Sequence, residues 1–374
     1  MIPDTQADGT PGDEPLREPI DARLRSIDAG NYRRSVRSAL EEFATVVCED
    51  GDIQAVDDIT KHDCRYYAQY LRDRANRDGD QFSARTAHKN YAFVRASFTW
   101  WQRDDRIATN PAQWRGATDE LPEITSDPDR QFWTRQDRTA ILRHVDQQVD
   151  AVLNEGDDPL PAFRDRAIVY VLALSGVRGA EVFRDPADDR REGLRWSDVD
   201  LDGGILRVFG KTRTYQSAPL PTDARSRLRR YKQVLDPEEG WPVFPSLHRP
   251  SLYRTVREGL ADELPEQRIE ELLDEGGPLA VMRKYDLIPP ALSVRGARTV
   301  MKRLCEAADL DIDGEYLKPH GARRGLGHQL YTEGQAELAQ EALRHQSVET
   351  THQAYHDVQA EATARRVDEI LSWE

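Results

Sequence analysis

Cysteine and long apolar runs are scarce in this sequence of 374 residues. Its three cysteines, Cys48, Cys64 and Cys305, lie far apart and form no C-x-x-C pair. This spacing argues against a disulfide framework or a cysteine zinc site, and it favours reduced thiols in a cytoplasmic protein. The longest apolar run, residues 167–177, is too short to span a membrane, and the first 20 residues lack the apolar core of a signal peptide. We therefore predict a soluble protein with no membrane partner.

Lysine is also rare, since it accounts for only seven of the 52 basic residues, whereas acidic residues number 67 and the net charge is −15. An acidic, lysine-poor surface favours solubility in concentrated salt, so we expect a halophilic source. Taken alone, the net charge argues against a nucleic-acid partner, whose phosphates repel an acidic protein. Arginine kept at such density instead indicates local positive patches, because its guanidinium can bind a phosphate through two parallel hydrogen bonds.

The chain is longer than one hydrophobic core usually organises, so we predict two domains. The predicted fold class is mainly α with a small β-hairpin or sheet, and thus α+β. The composition and apolar spacing predict a disordered acidic tail at 1–25, a helical domain at 26–115, a proline-containing linker at 116–131 and a second domain at 132–374. Helical spacing in the first domain is clearest at Ala87, Tyr91, Val94, Phe98 and Trp101.

The second domain contains three recognisable patterns. A continuous apolar segment predicts a buried helix over about 163–175. Short β-branched runs around a Gly-Lys turn predict a hairpin at 203–221, and a further helical segment is expected near 255–290. Thr60 and Thr134 stand in helix N-cap positions. The sequence contains no glycine-rich phosphate loop, so we expect no nucleotide cofactor.

Four short stretches of the second domain contain residue types that can do chemistry. They are SGVRGAE, FGKTR, HGAR and LRHQSVETTHQAY, which contribute Arg178, Glu181, Lys211, His320, Arg323, His345 and Tyr355. Each has a plain structural alternative: Arg178 and Glu181 can form a local ion pair, and Lys211 can be a solvated turn residue. Tyr355 can likewise be a partly exposed surface ring.

Several histidines near the end of the chain raise the question of a metal site: His320, His328, His345, His352 and His356. His352 and His356 are four residues apart, as helical zinc ligands often are, but no acidic third ligand accompanies them. We therefore predict neither a metal nor another cofactor.

Taken in order, the four stretches resemble the catalytic motifs of the tyrosine recombinases, the phage integrase family. In that family an arginine box, a hairpin lysine, H-x-x-R, a G-H-like box and a tyrosine follow one another. The matching positions here are Arg178 with Glu181, Lys211, His320 with Arg323, His345 and Tyr355. The helical region ending in NPAQW resembles the core-binding domain of the family. The resemblance covers about residues 30–370, and with the composition it implies a recombinase from a halophilic archaeon.

The sequence departs from the family pattern in three places. The interval from His345 to Tyr355 is one residue longer than the commonest spacing, and Arg344 stands where a glycine usually precedes the histidine. The helical segment near 255–290 is an insertion relative to the usual connection.

The resemblance implies a reaction that uses neither metal nor ATP. Arg178 and Arg323 would bind the phosphate oxygens, His345 would add a hydrogen bond, and His320 would do the same or help to deprotonate Tyr355. Tyr355 would attack the phosphorus to form a 3′-phosphotyrosyl link, with Lys211 protonating the departing 5′-oxygen. The implied partner is double-stranded DNA carrying specific sites, with four protomers on two duplexes. A type IB topoisomerase-like relaxase and a catalytically inactive DNA-binding relative remain alternatives.

Overall fold

The computed structural model describes most of the chain: residues 16–345 except 29, 49–52, 78–81, 125–130 and 313, and in addition 347 and 349. It divides into two compact units, Met1–Pro128 with Ala187–Asp189, and Asp129–Pro186 with Arg190–Glu374. Among the helices of the described residues, none combines the length and apolar character needed to cross a membrane.

The first unit is helical. Its elements are α1 (Arg17–Arg25), α2 (Asn31–Val47), α3 (Lys61–Ala75), α4 (Ala84–Arg103), a 3-10 turn (Pro111–Gln113) and α5 (Arg115–Thr118). The helices bury one apolar face each, and their aromatic rings meet edge to face, with ring centroids 5.0 Å apart for both Phe43–Tyr67 and Phe98–Trp101. All five α4 residues predicted to face the core are at most 1% exposed. Thr60 caps α3 as predicted, through a reciprocal pair of hydrogen bonds with Asp63.

Both predicted edges of this region require correction. Residues 17–25, assigned to the disordered tail, form α1, because Ile20 and Leu24 supply an apolar face that the core buries. At the other end, α5 continues the unit beyond residue 115 and buries Ala117. Glu120 then pairs with Arg65 and Arg72 of α3. The acidic composition of the tail and the prolines of the linker favoured an irregular structure, so the few buried residues of these short helices were not predicted.

The second unit surrounds one large core. Its elements are α6 (Arg135–Glu155), α7 (Leu160–Leu174), α8 (Gly179–Val182), β1 (Val199–Asp200), β2 (Ile205–Phe209), β3 (Tyr215–Pro219), α9 (Thr222–Leu235), α10 (Arg249–Leu260), α11 (Glu266–Lys284), α12 (Val294–Ala307), α13 (Pro319–Thr332) and α14 (Ala336–Leu343). The predominance of helix and the small antiparallel sheet, in the order β1-β2-β3, confirm the predicted fold class.

The buried helix α7 organises this core. It is apolar on nearly all sides and packs against α6, α9 and α13, which explains why its sequence shows no amphipathic period. Leu206 of β2 pairs with Ala218 of β3, and both side chains are buried, so the predicted hairpin presents one face to the core. The predicted helical segment near 255–290 contains α11 and the second half of α10, which begins earlier, at Arg249, and the two helices pack together. Gly277, at φ 73°, and Pro278 kink α11.

Candidate active site

A short turn after α7 presents Arg178. The chain leaves α7 through Ser175 and Gly176, and Arg178 then caps α8. The Glu181 carboxylate accepts one hydrogen bond from the Arg178 backbone N–H (2.7 Å) and another from its Nη1 (2.8 Å). The Glu181 side chain is 1% exposed, whereas that of Arg178 is 29% exposed. The buried carboxylate thus fixes a guanidinium that still reaches solvent.

Gly176 lets the end of α14 approach this turn. Its φ of +59° lies in the left-handed region, and a Cβ there would stand 2.7 Å from the Ala342 carbonyl oxygen. Glycine therefore serves both the turn and the close packing, and the residues that follow α14 lie beside the α7–α8 turn.

Arg323 of α13 binds the same two segments, the turn after α7 and the end of α14. Its side chain is buried and donates from Nη1 to the Gly176 carbonyl and from Nη2 to the Leu343 carbonyl. Gly176 lies two residues before Arg178, and Leu343 lies two residues before His345. One guanidinium therefore sets the distance between two predicted site residues.

Burial and the charges of the nearby arginines lower the pKa values of two histidines, His320 and His345. Burial, followed by the charges of Arg323, Arg178 and Arg344, lowers the pKa of His345 to about 4. Burial and the charges of Arg324, Arg323 and Arg178 also lower the pKa of His320. His320 is only partly desolvated, because the residue keeps exposed surface, so water screens part of this effect. Both rings therefore favour their neutral form at pH 7, in which each carries one N–H and one acceptor nitrogen.

Lys211 stands apart from this cluster. It is exposed in the turn between β2 and β3, on a different element from the arginines and histidines of the cluster. The base of its turn is nevertheless tied to α8 by Arg191. Nη1 of Arg191 donates to the carbonyls of Ala180 and Phe209, both at 2.9 Å, and Nη2 donates to that of Gly210 at 2.8 Å.

The structure thus brings together Arg178, Glu181, His320, Arg323 and His345 and leaves Lys211 on a hairpin anchored next to them. Tyr355, the predicted nucleophile, lies outside the described residues, as do His352 and His356. In the part of the chain that is described, no three His, Cys, Asp or Glu side chains form a group that could hold a metal ion.

Two further arginines, Arg191 and Arg344, contact the elements of the candidate site, although the sequence motifs did not select them. Arg191 carries no motif signal, because its partners are backbone carbonyls that only the fold brings near. Arg344 did carry a signal, since it occupies the position before His345 where glycine is usual. Its Nη2 donates to Glu181 at 2.5 Å, so one carboxylate binds both Arg178 and Arg344.

Comparison with known proteins adds to this geometry. Residues 289–362 match the sequence model of the Phage integrase family. The tyrosine recombinase XerC of Xylella fastidiosa is 25% identical over 302 residues, which are 80% of this chain and 79% of that protein. A lambda integrase dimer bound to a COC′ core site has a TM-score of 0.54 and 16% identity, covering 91% of this chain and 94% of its own. The Tn1549 transposon integrase in complex with a circular intermediate DNA has a TM-score of 0.56 and 15% identity, covering 94% and 99%.

The fold is accordingly that of the integrase and recombinase class of proteins. The match at 289–362 and the similarity to XerC both point to the tyrosine recombinases of the phage integrase family as the particular group that this chain resembles.

Proposed function

We propose that this protein is a site-specific DNA recombinase that cleaves and rejoins DNA through a 3′-phosphotyrosyl intermediate. The observation that supports this most is the convergence of Arg178, Arg323 and His345, from α8, α13 and the end of α14, in a family whose members are named tyrosine recombinases. A catalytic role for these residues rests on this convergence together with the motif match.

The cluster suits a phosphodiester whose oxygens gain negative charge during displacement. Guanidinium groups bind such oxygens with fixed N–H donors, and groups held in place beforehand need little reorganisation as the charge develops. Arg178 is held by Glu181, and Arg323 is held by two backbone carbonyls. His345, neutral at pH 7, would donate one further hydrogen bond without repelling the neighbouring arginines.

The remaining two roles fall to Tyr355 and Lys211. An unperturbed tyrosine ionises near pH ~10, so Tyr355 needs a base or nearby cations at neutral pH. His320 is exposed and favours its neutral form, so it can accept the phenol proton or donate a hydrogen bond to the phosphate. Lys211 would protonate the 5′-oxygen that leaves, and its hairpin is anchored beside α8. The phosphotyrosyl link keeps the bond energy, so the attack of a second 5′-hydroxyl needs neither ATP nor a metal.

Phosphate contacts outside the reacting centre would come from arginines on helix surfaces. Arg295 and Arg298 on α12 are both exposed and lie one turn apart at its start. On α9, by contrast, Arg227 and Arg229 already pair with Asp223 and Asp202. We therefore favour α12 over α9 as the phosphate-binding helix.

Three broader statements belong to the same proposal. Four protomers acting on two duplexes is the assembly that the family resemblance implies, and the lambda integrase neighbour is a DNA-bound dimer. A halophilic archaeal source would account for the net charge of −15 with only seven lysines. A cytoplasmic location fits the free thiols of Cys48, Cys64 and Cys305.

The experiment that tests this function traps the covalent intermediate. DNA selected from a random pool is converted to a nicked suicide substrate, and adducts are counted with the wild type and with Tyr355→Phe, in EDTA. We expect an adduct with the wild type only, and no loss in EDTA. The absence of any wild-type adduct would favour an inactive DNA-binding relative. Cleavage that survives Tyr355→Phe would refute the mechanism, and relaxation of supercoils without strand exchange would favour the topoisomerase alternative.

A further inference from the structure

Arg344 occupies a backbone position that favours glycine. Its φ and ψ are 52° and 46°, and it directly follows α14. The Arg344 N–H bonds the Glu341 carbonyl and the His345 N–H bonds the Gln340 carbonyl, both at 3.0 Å, which is the Schellman pattern of a helix end. Glycine is the usual residue there because it has no Cβ.

The other residues with positive φ do not explain this choice. Among the seven described non-glycine residues with positive φ, four are aspartates, a residue that tolerates this region because its short side chain can bond locally: Asp105, Asp236, Asp286 and Asp309. The others besides Arg344 are Leu16, which precedes α1, and Arg213, which lies in the turn between β2 and β3. Arginine has no such advantage. A residue in a strained backbone conformation persists only where its surroundings hold it, so contacts of the Arg344 side chain are expected to offset the strain.

That side chain lies inside the candidate site. It is 7% exposed, and its Nη2 donates to Oε2 of Glu181, the same oxygen that accepts the backbone N–H of Arg178. Among the residues that the structure describes, Nε and Nη1 of Arg344 have no acceptor. The buried group therefore makes one charged contact and keeps donors that no described protein atom satisfies.

The charges of the cluster show what this contact does. Arg178, Arg323 and Arg344 carry three positive charges and Glu181 carries one negative charge, while both histidines favour their neutral form. With glycine at position 344 the excess would fall from two positive charges to one. Glu181 would also lose one of the two donors to its Oε2, the Nη2 of Arg344, and keep only the Arg178 backbone N–H there, so the carboxylate that orients Arg178 would be held less firmly.

We propose that Arg344 is a positioning residue for Arg178, acting through Glu181. It also adds a second excess positive charge to the site, which suits a DNA phosphate whose oxygens gain negative charge in the transition state. This inference rests on the proposed function. It assigns to this chain a site with one more guanidinium than the glycine-containing family pattern provides.

The test compares Arg344→Gly with Arg344→Lys in the full chain. Glycine suits the left-handed backbone and so offsets part of the stability lost with the Arg344–Glu181 ion pair, and circular dichroism should show a folded variant with a Tm close to that of Arg344→Lys. The single-turnover rate of Tyr355 adduct formation should fall by about tenfold to a hundredfold, whereas the Kd for the same DNA should change by less than about threefold. Arg344→Lys keeps the charge and loses the planar fork, so it should recover part of the rate.

A second readout follows the charge itself. The charged groups around His345 are Arg323 of α13, Arg178 at the start of α8 and Arg344 in its own segment. In an NMR titration, with the His345 signal identified by its loss in His345→Gln, Arg344→Gly should raise the pKa of His345 and Arg344→Lys should leave it near the wild-type value. A purely structural role would not separate these two variants.

Asp286→Gly is the matched control, since it relieves the same backbone conformation at an exposed site, φ 55°. It should leave the adduct rate and the His345 titration unchanged. A wild-type rate together with an unchanged His345 pKa in Arg344→Gly would overturn the inference. A wild type that forms no adduct would instead reject the proposed function, so the two failures are distinct.

Discussion

Replacing Glu181 by glutamine removes the one negative charge from a buried cluster of arginines. Glu181 Oε2 accepts from the Arg178 backbone N–H and from Arg344 Nη2, and Oε1 accepts from Arg178 Nη1. All of these neighbours are donors. The NH₂ group of a glutamine would therefore face a donor in either orientation, and no rotation of the amide avoids the conflict.

The magnitude follows from burial. Removing one partner from a buried ion pair costs about 3–5 kcal/mol, because the other charge stays buried without compensation. Arg344 is 7% exposed, but Arg178 is 29% exposed and can recover some hydration. We therefore expect the lower end, about 3 kcal/mol, which is a fall in Tm of roughly 6–12 °C for a unit of this size.

Urea denaturation followed by circular dichroism measures the loss in the free energy of unfolding. The matched control is Glu192→Gln, whose partner Arg195 lies at 2.7 Å but whose side chain is 64% exposed. A surface pair of this kind should contribute less than about 1 kcal/mol. If Glu181→Gln loses no more stability than Glu192→Gln, then Glu181 does not bind the two arginines as described, and the reasoning fails.

Three further predictions concern other parts of the site. Gly176→Ala should lower the free energy of unfolding by more than about 2 kcal/mol, because it adds a left-handed alanine and a Cβ 2.7 Å from the Ala342 carbonyl oxygen. The control Gly156→Ala, with open space around its Cβ, should lose only about 1 kcal/mol. Equal urea midpoints for the two variants would contradict this. The pKa of His345, about 4 when folded, lies below its unfolded value of about 6.5, so its contribution to stability is present above pH ~6.5 and is lost as the pH falls towards 4. His345→Gln should flatten that pH dependence of the urea midpoint, and an unchanged slope would argue against the shift. Arg191→Met should slow adduct formation by about tenfold with little change in DNA affinity, since it frees the hairpin of Lys211 from α8; an unaltered rate would show that the anchoring is dispensable.

The apolar pattern of the sequence predicted the long elements of the fold, through the spacing of apolar residues or through a continuous apolar run. The core face of α4 and the buried helix α7 are such cases, because burial of one face, or of all faces, leaves a direct trace in the sequence. The short elements were harder. α1 and α5 bury only a few side chains within acidic or proline-containing surroundings, so composition outweighed the weaker apolar signal.

The candidate site divides in the same way. Motif order selected Arg178, Arg323 and His345, which the structure gathers. It could not select Arg191, whose role depends on backbone carbonyls from two segments brought together by folding. Arg344 was visible only as a departure from the expected glycine. Its meaning required the left-handed backbone and the contact with Glu181.

The central claim is that a DNA phosphate binds between Arg178, Arg323 and His345 with Tyr355 in line. A crystal structure of the Tyr355→Phe variant bound to its selected DNA tests this most directly. The account predicts a backbone phosphate whose oxygens lie about 3 Å from N–H groups of both arginines, with the ring of residue 355 opposite the 5′-oxygen. A phosphate backbone that runs elsewhere, with these side chains making no contact to DNA, would contradict it.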